Sequence, residues 1–406
     1  MPSKASGILL SILILASGAF AAKTKVGTPQ WRRFKVLYNF KNGADGGAIF
    51  GGVARDRQGN LYGVTEIDDY DHGYGTLFEL TPGKGGYSFH ILAHFSESTG
   101  TYCETTPVVD DAGNVFGECS LGGEGYGTLW EYSRCGKFKV LHSFTGPGDG
   151  MMPDDIVLIG SDDIYGTTAE FGSGGAGTFW KYSRRRHKFT LLHSFASGAD
   201  GGSPGGPTID HKGILWGITV YGPNCYDCGK GTVWNYDPSS GTFTTVLDLS
   251  STGISTPQNS FVVDERGNLF GTAFPIDGSN NGMIYELEAD NNYTPVILYT
   301  FTDMQNGVGP GQLSFDKRAG DCRGLWAVEN LVGTTYLGGK FGQGTAYELV
   351  HKDGGWQEIV LRSFDGSDGS SPLDGMVTDN HCRWFGTTVY GGKYGWGEVF
   401  EMSGLP

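Results

Sequence analysis

The chain has 406 residues, a formal charge of −15 at pH 7, 69 glycines and 13% aromatic residues. That acidic balance argues against nucleic acid and against an anionic membrane surface as partners. No stretch holds an extended apolar pattern at a spacing of 3.6 residues, so almost no helix is expected.

Residues 1–22 read as an export signal. Lys4 supplies the charged start, Gly7 to Ala16 the apolar run, and Ala19-Phe20-Ala21 a small-residue cleavage site. The apolar run is short for a bilayer span and no second one follows, so an exported chain without a membrane span is expected, secreted or periplasmic.

From about residue 31 onward the chain repeats, and repeats decide architecture before any local reading does. A large apolar residue followed by Gly, often then Thr, recurs at Gly63, Gly117, Gly166, Gly217, Gly271, Gly333 and Gly386. A second element begins at Gly75, Gly127, Gly177, Gly231, Gly282, Gly344 and Gly397, as in Gly344-Thr345-Ala346-Tyr347-Glu348-Leu349. A third, of the type Val140-Leu141-His142-Ser143-Phe144, follows each time, and an apolar run closed by a turn, such as Asp110-Asp111-Ala112-Gly113-Asn114 or Asp264-Glu265-Arg266-Gly267-Asn268, precedes the first element of each unit. Short β-branched and aromatic runs bounded by Gly, Asn and Asp are strands. Four strands in each unit of about 50 residues make one blade of a propeller.

The fold expected is therefore all-β: a seven-bladed β-propeller of four strands per blade, forming one domain over 31–406. Its last unit lacks a fourth strand, while Phe34–Phe40 is a fourth strand without a unit. Pairing the two closes the ring, and a closed ring leaves no bare edges.

Candidate functional residues sit mostly on the loops between the two Gly-containing strands, because binding groups ride on loops held by a rigid scaffold. The first such loop clusters Asp68, Asp69 and Asp71, hard oxygen ligands suited to calcium but without the ligand order of an EF-hand. No other cofactor is expected. Later loops carry Phe171, Tyr221, Tyr336 and Tyr390, which either form a shared sugar- or peptide-binding surface or pack over their own loops. Glu118 takes the place of the Thr found at Thr167, Thr272, Thr334 and Thr387. A carboxylate there would face the channel, as a ligand or catalytic group or simply as a water-filled-channel residue.

Several other features have plain structural readings. Trp130, Trp180 and Trp234 share one repeat position and are expected to pack between blades. His94, His142 and His193 lie on three different blades, too far apart for one metal. Arg184 to Lys188 fall where other units have a hairpin turn. Of the seven cysteines, Cys225 and Cys228 are expected to staple their own loop, and the pairing of the rest stays open. No Gly-x-Ser-x-Gly, His-Glu-x-x-His or P-loop signature occurs.

The pattern over Asp264 to Thr272, with Gly338-Gly339 and Gly344 to Leu349, resembles the GloVer tandem repeat of exported bacterial proteins. That resemblance covers nearly the whole mature chain. It implies the repeat fold and export, and no catalytic residues. Uniform repeats without a concentrated catalytic set point to a non-enzymatic module that binds glycan or protein. The alternative is a propeller hydrolase or lyase acting on extracellular polysaccharide, which requires carboxylates from different blades to converge.

Overall fold

The computed structural model describes residues 33–403, except 69–73, 224–228, 276–277, 279, 316–329, 353, 380 and 382. Within them the chain forms seven antiparallel sheets of four strands. The first blade runs Ala54–Arg55, Leu61–Val64, Thr76–Gly83 and Gly86–His94 from the axis outward. The second is Val108–Val109, Val115–Cys119, Thr128–Ser133 and Lys137–Ser143, and the third starts with the long inner strand Met151–Ile159. In blades four and six the inner strand is broken in two, Gly202–Pro204 with Thr208–Ile209, and Val308–Pro310 with Ser314–Phe315. Helix is confined, among the described residues, to the two 3-10 turns Leu249–Ser251 and Ala289–Asn291.

Ring closure follows the expected route. Arg33–Asn39 is the outer strand of the seventh blade and pairs antiparallel with Glu398–Ser403. The apolar core is correspondingly divided into seven clusters, each spanning two neighbouring blades. One joins Val332 and Ala346 of blade six to Met376, Trp384 and Phe400 of blade seven, and another joins Phe385 and Val399 of blade seven to Val53, Leu61 and Phe78 of blade one.

The two glycine elements of the repeat are two halves of one contact. Gly117 lies opposite Trp130 across the strand pair, Gly166 opposite Trp180, and Gly217 opposite Trp234. A Cβ on any of these glycines would collide with the ring of its partner. The ring lies flat over its own sheet and is wholly buried, which accounts for the Gly and the aromatic together.

A threonine ladder holds the next position. Thr65 meets Thr76 at 3.0 Å through their Oγ1 atoms, Thr168 meets Thr178 at 2.8 Å, Thr219 meets Thr232 at 2.9 Å, and Thr335 meets Thr345 at 2.9 Å. The Asp-x-x-Gly-Asn turns sit at the opposite face. There Asp110 accepts the Ala112 and Asn114 amides at 3.0 and 2.8 Å, and Asp264 does the same for Arg266 and Asn268.

The outer-strand histidines are structural, as expected. His142 Nε2 meets Asp149 at 2.8 Å while its ring stacks on Phe189 at 4.0 Å; His193 repeats this with Asp200 and Phe243. The basic turn is different in part. Arg184 leaves the solvated tip and reaches blade two, where it binds Asp110 at 3.1 Å and Glu131 at 2.9 Å over the ring of Phe116.

Candidate functional site

Loops between second and third strands all emerge at one face, because every blade has the same antiparallel order. Phe171, Tyr336 and Tyr390 are exposed there and Tyr221 is half-buried. They do not form one continuous platform. Phe171 stands edge-on to Tyr126 at 5.9 Å, which is local packing. Tyr390 instead meets Phe50 at 6.4 Å, and Glu66 and Tyr336 lie close enough to raise its phenol further after burial has done so. Asp68 faces His94 at 3.4 Å; Asp69, Asp71, Cys225 and Cys228 lie outside the described residues. Among the described residues no three His, Cys, Asp or Glu side chains are grouped to hold a metal ion.

The feature that organises this face lies at the axis. Six of the seven inner strands enter through a non-glycine residue in the left-handed region: Ala48, Tyr102, Met152, Ser203, Thr256 and Ser371 all have φ between 50° and 56°, and the sixth blade has Gly309 at 67°. For non-glycine residues this conformation costs about 1 kcal/mol or more each. It turns the following residues toward the channel. There Phe50, Glu104, Asp154, Asp155 and Asp374 line a mouth of about 320 Å³. Beneath it the channel widens to about 600 Å³ between mainly apolar walls that include Ala54, Val108, Val157 and Val377.

Thr106, Asp155, Gln312 and Asp374 line both spaces and form the waist between them. Asp374 accepts the Gly52 and Gly375 amides at 2.6 Å each, and the Thr106 hydroxyl. Ser260 joins the other side, giving its amide to Gln312 at 3.0 Å and its hydroxyl to Asp155 at 3.2 Å. Residues of blades one, two, three, five, six and seven thus meet at one level.

The mouth is crowded with carboxyl groups. Burial, then Asp154 and Asp374, push Asp155 well up; burial, then Asp374 and Glu104, raise Asp154 to about 6. Burial, then Glu66, raises Glu104 to about 6. Glu118 corrects the sequence expectation of a channel-facing residue: it is 1% exposed, between blades, and neither carboxylate oxygen has a hydrogen-bond partner. Burial, then Asp154 and Asp155, push it well above the ordinary carboxylate range. The threonines at its position bond instead, Thr334 to the Asp374 carbonyl at 2.7 Å and Thr387 to the Gly51 carbonyl at 2.8 Å.

Sequence reasoning singled out Glu118 and the loop aromatics but missed Phe50, Glu104, Asp154, Asp155 and Asp374. A signal existed in the adjacent Asp154-Asp155. What hid it is the irregular inner strand, whose register shifts between Asp154 and Ile156, so spacing does not align these residues from blade to blade.

The family model of the Gloeobacter/Verrucomicrobia repeat matches residues 55–273, 105–327 and 227–404. The chain belongs to that family. No curated protein matches the sequence. Among solved structures, this repeat protein is similar to the extracellular domain named for the one-component system BT4673 of B. thetaiotaomicron, at 14% identity and a TM-score of 0.56. The match covers 90% of this chain, which spans only 40% of that one. It is also similar to oligogalacturonate lyase of Vibrio parahaemolyticus, at 12% identity and a TM-score of 0.54 over 92% of this chain and 97% of that one. At such identities the likeness is one of fold. No helix among the described residues is long and apolar enough to cross a membrane.

Proposed function

We propose that this repeat protein is an exported, non-catalytic propeller that binds a glycan at the loop-face mouth of its channel. The observation that carries the reading is Phe50, which lines the carboxylate mouth and also meets Tyr390 on the rim at 6.4 Å. A pyranose presents an apolar face and a ring of hydroxyl donors, so it is met by an aromatic face beside carboxylate acceptors. The segment 1–22 and the Cys103–Cys119 disulfide support export into an oxidising compartment. The carboxylates argue against a polyanionic glycan, so the substrate named for the lyase neighbour is a poor guide here.

A second reading has one observation in its favour. Carboxyl groups held near 6, such as Glu104 and Asp154, suit a general acid in glycoside hydrolysis. One experiment separates the two. The mature protein is screened on a glycan array, with and without calcium, and reducing-sugar release is measured on every hit. Binding without release is expected, weakened about tenfold or more by Tyr390→Ala. Release would replace the binding reading with the hydrolytic one. A blank array would sink both and turn attention to protein partners.

A further inference from the structure

We infer that the glycan is held as a chain, which runs from the channel mouth outward over the second blade and sets a further sugar against Tyr102. The inference rests on the mouth being a glycan site and names the form of glycan it takes. On the same face a cleft of about 580 Å³ opens between the loops of the first two blades, lined by Tyr74, Thr101, Tyr102, Leu121 and Glu124 among others. Mouth and cleft share one wall. Thr101 and Tyr102 line the cleft while Glu104, Thr105 and Thr106 line the mouth, and Leu121 and Ser120 divide between them in the same way.

That wall is fixed. Thr101 and Leu121 exchange backbone hydrogen bonds at 3.0 and 3.1 Å, and the Ser120 amide donates to the Tyr102 carbonyl at 3.0 Å. The Cys103–Cys119 disulfide closes the next step toward the axis. The five residue steps from Thr101 to Thr106 reach at most about 18 Å. Each space is of the size that buries one small molecule, about 300–1,000 Å³, so two in series suit an extended chain and not a compact ligand.

Two departures from the repeat make the cleft. At the next blade junction the space is filled, because Phe171 stands edge-on to Tyr126 at 5.9 Å. The matching residues here, each likewise just before a glycine, are Leu121 and Tyr74, and the smaller Leu121 leaves the space open. Tyr102 is the second departure. It is an aromatic at a left-handed φ of 53°, 44% exposed, where other blades place Ala48, Met152, Ser203, Thr256 and Ser371. Neither that backbone nor the core calls for a ring at such a position. A ring that stays in solvent, beside backbone and carboxylate acceptors, matches the apolar face and hydroxyls of a sugar.

Calorimetry on the mature protein tests this with neutral cello-, xylo- and manno-oligosaccharides, each from disaccharide to hexasaccharide. Affinity is expected to rise about tenfold or more along the series that binds. Tyr102→Gly and Leu121→Phe should each flatten that rise and leave disaccharide affinity unchanged, whereas Tyr390→Ala should weaken every length. Glycine favours the backbone that Tyr102 adopts, so a loss in that variant does not come from misfolding. Leu121→Phe copies the filled junction at Phe171, and Tyr102→Phe, which keeps the ring, should retain the rise.

An affinity independent of length would overturn the inference and leave the glycan-binding function standing. So would a rise that survives in both Tyr102→Gly and Leu121→Phe. Equal loss at every length in Tyr102→Gly would place that ring within the mouth and overturn the chain as well. Failure of every series would remove the function and the inference together.

Discussion

Cys103 is disulfide-bonded to Cys119, and beside them in sequence stand two glutamates of the second blade, Glu104 and Glu118. The bridge joins the segment leading into the inner strand to the end of the second strand, with both cysteines buried. Cys119 stands where four other blades carry the first Thr of the threonine pair, so covalent linkage replaces a hydrogen bond at the blade that carries Glu118. A closed loop of this length, 16 residues in separation, stabilises a fold by about 3 kcal/mol. Cys103→Ser with Cys119→Ser is expected to lower unfolding free energy by about 2–4 kcal/mol in urea titrations. Ligand affinity should fall as well, because Glu104 and Glu118 lose their shared anchor. Unchanged affinity in a folded double variant would show that the bridge serves stability alone.

Much of this architecture was legible in the sequence, and the reason is physical. A ring such as Trp234 leaves no room for a Cβ at Gly217, so the pair must recur in every blade and the repeat announces itself. The unpaired strand at Phe34 likewise fixed the closure. The site was less legible, because function here departs from the repeat instead of following it. Glu118 was visible as a substitution in a threonine column. Asp154, Asp155 and Asp374 belong to an inner strand whose bulges and left-handed entry residues erase the register that spacing relies on. Convergence of side chains from six blades is a property of the closed ring, and no linear reading contains it.

Arg184 and Arg185 are neighbours with opposite roles. The Arg184 side chain is 20% exposed and bridges Asp110 and Glu131 of the adjacent blade, whereas that of Arg185 is 79% exposed beside Asp162 at 3.9 Å. Removing the first leaves two half-buried carboxylates facing each other; removing the second leaves solvent. Arg184→Ala should cost about 1–3 kcal/mol in chemical denaturation, while Arg185→Ala should change stability by less than about 0.5 kcal/mol. Equal effects would show that the inter-blade bridge does not form in solution.

Glu398 breaks the threonine ladder at the seam where the ring closes. It pairs with Thr388 across the strands and with Asn39 of the closing strand, is fully buried, and leaves both its oxygens and the Thr388 hydroxyl without partners. Burial raises its carboxyl from 4.5 to about 8, with Arg362 opposing. The unfolded chain therefore releases this proton before the folded chain does. No penalty exists below about 4.5, it grows as pH rises, and it is complete above about 8. Glu398→Thr restores the pair and should stabilise the protein by about 2–4 kcal/mol at the alkaline end, with little effect at the acid end. Thermal melts of both proteins across that range test this, and parallel curves would contradict it.

The mouth itself should titrate. Glu104 and Asp154 are raised to about 6 by burial and by their acidic neighbours, and the groups facing them are Glu66, Glu118, Asp155 and Asp374, with no basic side chain among the described residues lining the space. Below that value both are protonated and the mouth is less negative; above it they ionise and attract a cation. As a cationic probe, spermidine keeps its charge throughout, so any pH dependence of its binding belongs to the protein. Its affinity is expected to rise about tenfold or more between the acid and neutral sides of this titration, and to be weakened by added salt. Glu104→Gln should flatten the rise without abolishing it, because Asp154 still ionises. An affinity that fell over the same interval would mean that the mouth prefers its neutral form.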